Sequence, residues 1–166
     1  MPTLRVPTIR VRCSFFTPPL DLLKIGVFDL WVGNFDRKPD NPNILLSSRD
    51  NERFDFCPVD HMAAFAYLTN YRDVREAIFT RDPKKCILSH RFVRAIAKFV
   101  PPQQISDLRN SILNGMTIAL ENMDFIFPQV PPSWGLSRKA KEHLKQFFAD
   151  TVRNERVAAS YLIYLC

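Results

Sequence analysis

The segment Leu20–Val32 constrains this chain most. It is apolar nearly all round, with only Asp21, Lys24 and Asp29 as exceptions. A helix with apolar residues on every side must be buried on most sides, so the rest of the chain has to wrap around it. Thr17-Pro18-Pro19 supplies a start, a capping hydroxyl followed by proline near the first turn. Gly33-Asn34 supplies a stop, because both residues tolerate the left-handed conformation of a helix C-cap.

Beyond the stop, Phe35-Asp36-Arg37-Lys38-Pro39-Asp40-Asn41-Pro42-Asn43 carries two prolines and two asparagines and reads as a loop. Ile44–Leu46 reads as a short strand, Ser47–Arg53 as a polar turn, and Phe54–Val59 as a second, alternating strand. Together they predict a β-hairpin with Asp60 at its far end, followed by a turn or short helix over His61–Leu68. Residues 8–13 alternate apolar and basic, which predicts a short strand.

The remainder is predicted helical: Asp73–Thr80, Ser89–Val100, Gln103–Asn114, Met116–Asp124, and a last helix capped by Ser137 and running to about Tyr164. Phe127–Trp134, with Pro128, Pro131 and Pro132, is expected to be a rigid extended connector. The fold class is therefore α+β, mostly α, and 166 residues suit one domain.

Several classes of function fall away. Only four glycines are present, Gly26, Gly33, Gly115 and Gly135, and no two are close, so the chain contains no glycine-rich phosphate-cradling loop. No apolar run approaches the roughly 18 residues of a membrane span. Cys13, Cys57, Cys86 and Cys166 form no CxxC pair, hence neither a zinc pattern nor a disulfide framework; Cys57, in an apolar run, is expected to be a buried thiol. Basic residues at the N-terminus without a continuous apolar core give no secretory signal, which points to a reducing, cytoplasmic setting. The net charge of +6 is compatible with nucleic acid, but a solvated basic surface is the better reading.

Asp36 and Asp60 stand out because of their surroundings. A hairpin that folds back brings Asp60 toward Asp36 and the asparagines, and carboxylates with a carboxamide suit a hard divalent cation. Magnesium held this way takes the rest of its shell from phosphate, as in phosphoryl transfer. Taken singly, the loop can be an ordinary turn and Asp60 an ordinary helix N-cap. The order, buried helix, Asp loop, hairpin, Asp, is the specific feature.

The run Leu23–Arg37, then Asn41-Pro42-Asn43-Ile44-Leu45-Leu46, then Pro58-Val59-Asp60-His61 and Ala64-Phe65, resembles the HipA-like kinases, and its loop is similar to the catalytic loop of phosphatidylinositol kinases. The resemblance covers about residues 20–66. It implies a protein-kinase-like C-terminal lobe over 18–166, with 1–17 a strand or linker left from an N-lobe. It implies that Asp36 is catalytic and that Asp60 binds the metal. Asn41 or Asn43 is the second ligand: counting from Asp36 favours Asn41, and aligning on the following strand favours Asn43. Arg37 is expected to pair with a carboxylate or a phosphate. The implied cofactors are Mg2+ and ATP, with transfer to a Ser/Thr hydroxyl. No segment before Asp36 supplies the glycine-rich loop or a strand lysine, so the expected partner is an N-lobe or regulatory protein, with a protein substrate. The alternatives are an inactive kinase remnant that binds a protein, and a basic helical nucleic-acid binder.

Overall fold

The computed structural model describes residues 20–50, 53–65, 86–96 and 99–165. The expected strand at 8–13, the Thr17-Pro18-Pro19 helix start, the division at residue 17 and the helix at Asp73–Thr80 lie outside them. The described elements are helix α1 (Asp21–Val32), strands β1 (Ile44–Asp50) and β2 (Arg53–Pro58), and helices α2 (Arg91–Ile96), α3 (Pro102–Glu121), α4 (Met123–Ile126), α5 (Arg138–Ala149), α6 (Thr151–Ala158) and α7 (Leu162–Leu165).

Helix α1 is the axis of the core, as its composition requires. Leu22, Leu23, Ile25, Val27, Leu30, Trp31 and Val32 are all buried, while Asp21 and Lys24 pair on the exposed side at 3.0 Å. Its packing is close: a Cβ added at Gly26 would lie 2.5 Å from the Leu88 side chain of a 3-10 turn at Ile87–Ser89. The helix ends at Gly33, whose φ of 65° is the left-handed cap that glycine adopts without strain.

The hairpin is antiparallel, with Leu46 opposite Phe56 and Leu45 opposite Cys57. Its strands are longer than the apolar pattern suggests. Ser47–Asp50 and Arg53, expected in the turn, belong to the ladder, because strand pairing satisfies backbone groups whatever the side chains are. Ile44 and Phe56 pack against the core. Cys57 falls on the other face and is exposed, against expectation; of the two described cysteines, Cys86 is the buried one. Alternation along a strand, not local hydrophobicity, decides which side a residue takes.

After the hairpin, Phe65 returns to α1. Its amide donates to the Val32 carbonyl at 3.1 Å and its ring meets Phe147 and Phe148 edge-on. These contacts hold Phe65 at a φ of 58°, a left-handed conformation unusual for a bulky residue.

The helical half departs from expectation in four places. Gln103–Asn114 and Met116–Asp124 are not two helices: α3 runs unbroken through Gly115, because Ile105, Leu108, Ile112 and Met116 keep one buried stripe across it. The expected long last helix is broken at Asp150, whose carboxylate accepts from the Arg153 amide at 2.9 Å and caps α6. The break is fixed from α1: Trp31 Nε1 donates to Asn154 Oδ1 at 3.0 Å, and Asn154 Nδ2 donates to the Phe148 carbonyl at 2.8 Å. Residues 127–134 form two 3-10 turns, Phe127–Gln129 and Pro132–Trp134, where the prolines occupy first-turn positions that need no N–H donor. The expected helix over Ser89–Val100 is described only over Arg91–Ile96, behind the 3-10 turn.

Ser137 caps α5 as its sequence indicates, accepting from the Ala140 amide. Tyr161, fully buried, donates its hydroxyl to the Ile105 carbonyl at 2.6 Å, joining the α6–α7 turn to α3. No helix of the described residues is long and apolar enough to cross a membrane.

Candidate functional site

The loop between α1 and β1 is built from the end of α1 outward. Asp29, on the last turn of α1, is 1% exposed. Its Oδ1 accepts from Asn34 Nδ2 at 3.0 Å and its Oδ2 from Arg37 Nε at 2.8 Å. Asn34, just past the left-handed Gly33, also accepts from the Asp36 amide with its side-chain oxygen at 3.3 Å. The chain is thereby turned so that Asp36 and Arg37 project in different directions. Arg37 goes inward and is 1% exposed, whereas Asp36 stays partly exposed.

The Asp36 carboxylate is bracketed by both candidate asparagines. Asn41 Nδ2 lies 3.4 Å from Asp36 Oδ2 and Asn43 Nδ2 lies 3.3 Å from the same oxygen. The loop closes on itself through paired backbone bonds between Lys38 and Asn41, at 3.0 and 3.2 Å. With both amide groups turned to Asp36, the side-chain oxygens of Asn41 and Asn43 are the atoms each could offer a metal.

Asp60 lies where the hairpin ends. The Val59 amide donates to the Asn43 carbonyl at 2.9 Å, so the strand leaving β2 is fastened to the strand entering β1. Asp60 is exposed and accepts from the Met62 amide at 3.4 Å, closing a turn; no helix starts here among the described residues, so the N-cap alternative does not apply. Asn43 and Asp60 have φ of 42° and 57°. Asn and Asp are the non-glycine residues that best tolerate this region, and such backbones cluster at functional sites.

Arg37 joins these pieces. Beyond Asp29, its Nη1 donates to the Val59 carbonyl at 3.0 Å, to the Pro42 carbonyl at 3.4 Å and to the Asn43 carbonyl, and its Nη2 meets His61 Nε2 at 3.2 Å. Of the two partners expected for Arg37, the geometry provides the carboxylate; at 1% exposure it is closed to a phosphate from solution.

Burial in this corner weighs against an ionised carboxyl or thiol. Burial pushes the Asp29 carboxyl up from 3.8 to about 6, although the Arg37 charge and the hydrogen bonds from Asn34 and Arg37 pull it down. The neighbouring Cys86 thiol is pushed up to about 12, mainly by burial, which makes it an inert packing group.

Asp36, Asn41 and Asn43 are brought together, whereas Asp60 turns to the Met62 amide; their side-chain oxygens are of the kind that suits a hard cation such as magnesium. Among the described residues, no three His, Cys, Asp or Glu side chains gather to hold a metal. Sequence reasoning missed the roles of Asp29 and Asn34 and the contact of the exposed His61 with Arg37. The signal present was a carboxylate in the apolar second half of α1, eight residues before an arginine.

A family model described as HipA-like kinase matches residues 12–159. No curated protein and no solved structure matches the chain.

Proposed function

The chain belongs to the HipA-like kinases, and on that footing we propose that it is a kinase C-terminal lobe transferring the γ-phosphoryl of ATP to a Ser or Thr hydroxyl. The observation that carries this reading is the Asp36 carboxylate held between Asn41 and Asn43, both within 3.4 Å, on the loop that leads into the hairpin. Asp36 would orient the acceptor hydroxyl and take its proton. Asp60, with Asn41 or Asn43, would hold magnesium, which when bound offsets the charge of the phosphates.

The elements that cover the phosphates in a kinase need a glycine-rich loop, and these 166 residues contain none. We assign them to an N-lobe supplied from outside these residues. Apolar side chains beside the site support such a partner. Leu45, two residues past Asn43, is 60% exposed, and Met62, two past Asp60, is 90% exposed. The same residues favour a second reading, a lobe that docks a partner protein without chemistry.

Calorimetry with ATP and magnesium separates the two. Magnesium-dependent binding that weakens at least tenfold in Asp60→Ala supports the kinase reading, and binding that ignores this substitution refutes the metal role. Asp36→Ala is expected to abolish transfer while leaving nucleotide affinity within about twofold; transfer at the wild-type rate would remove Asp36 from the mechanism.

A further inference from the structure

The most heavily engaged side chain of the described residues is not one of the candidate ligands. Arg37 touches three segments at once: the last turn of α1 through Asp29, the loop through Pro42 and Asn43, and the end of the hairpin through Val59 and His61. Two of these partners flank Asp60 directly, and a third is the carbonyl of Asn43. The loop and the hairpin end meet through one backbone bond, Val59 to Asn43, and the guanidinium bridges the same junction.

We propose that Asp29 and Arg37 are positioning residues, which act by fixing Asn43 and Asp60 relative to each other so that both can face one metal ion. This rests on the kinase reading for the metal but not for the holding role. The chemistry suits arginine alone. A planar fork with donors at fixed angles can serve the Asp29 carboxylate and also carbonyls of the loop before β1 and of the segment after β2, whereas a lysine is a point charge that cannot span them. Asp29 sets the plane of the fork, because Nε donates to its Oδ2 while Asn34 holds Oδ1. The left-handed backbones at Asn43 and Asp60 need such support, since they persist only where surroundings over-determine them.

The variants are Arg37→Lys and Asp29→Asn, which keep the charge of one residue and the shape of the other, with Arg109→Lys on the surface of α3 as a control. The first measurement is amide hydrogen exchange on the whole chain. Val59 should lose protection at least tenfold in both variants, while amides of α3 and α5 keep theirs; unchanged protection at Val59 in a folded variant overturns the proposal. The second is Mn2+ binding by electron paramagnetic resonance in the presence of a non-hydrolysable ATP analogue. Affinity should fall at least tenfold in both variants, approaching Asp60→Ala, with the control unchanged. Wild-type affinity in the variants overturns the positioning role even if exchange changes. Failure of the wild-type chain itself to bind the Mn2+–nucleotide pair counts against the kinase reading, and the exchange measurement alone then decides whether Arg37 holds the junction.

Discussion

Two ion pairs show how differently the halves of this molecule use charge. Asp29 and Arg37 pair with side chains 1% and 0% exposed, and the remaining polar edge of the arginine meets backbone carbonyls. Arg109 and Glu155 bridge α3 and α6 with side chains 42% and 48% exposed. A buried pair is not by itself a source of stability, because removing two charges from water offsets their attraction. Its worth here is geometric, since it makes three irregular segments converge. The helical half relies mainly on packing, with Arg153 of α6 donating to the Trp31 carbonyl of α1. Leu108, Met116, Phe147, Phe148 and Val157 bury its apolar faces, and its surface charges adjust around a shape already set by packing.

The largest break of this comparison comes from Arg37→Met. Taking one partner from a buried pair leaves Asp29 uncompensated, and urea unfolding should show a loss of about 3–5 kcal/mol. A loss below about 1 kcal/mol would place the buried pair in the same class as the surface one.

A smaller effect tests the sign of the Asp29 environment. Its carboxyl is raised to about 6 from 3.8, chiefly by burial. Between those values the folded chain holds a proton that the unfolded chain has released. This group therefore favours folding as pH falls through the window and disfavours it as pH rises toward 6. Unfolding of wild type and Asp29→Asn at about pH 4.5 and about pH 7 should show the wild type losing ground to the variant at the higher pH. The opposite slope would mean that the Arg37 attraction outweighs desolvation.

The smallest effect is expected from Arg109→Gln, no more than about 1 kcal/mol and shrinking with added salt. A loss comparable to Arg37→Met would show that the α3–α6 junction depends on charge and not on packing.

The loop and the hairpin that carry the candidate residues are legible in the sequence as local structure. Asp36, Asn41 and Asn43 fall in the loop and Asp60 at the hairpin end, and the fold brings both asparagines to Asp36, which leaves the choice between Asn41 and Asn43 as metal ligand where counting and strand alignment left it. Asp29 is not legible there, because a carboxylate amid the apolar residues of a helix reads as an exception until its partner is seen. The break at Asp150 is hidden for the same reason. Residues 137–164 have continuous helical spacing, and the bonds that fix the corner, Trp31 Nε1 donating to Asn154 and Arg153 donating to the Trp31 carbonyl, join residues more than a hundred apart.

The sequence by itself determined the local grammar. It dictated a helix buried on most sides, a left-handed stop at Gly33, a loop that prolines keep irregular, and a hairpin ending in Asp60. These follow from backbone preferences and from side-chain periods of about 3.6 and about 2, which act over a few residues. Only the tertiary structure decided which charge would be buried, which thiol exposed, and which way Arg37 would face. Burial and pairing depend on residues distant along the chain, so Asp29 and Arg37 acquire their meaning only when α1, the loop and the hairpin close around them.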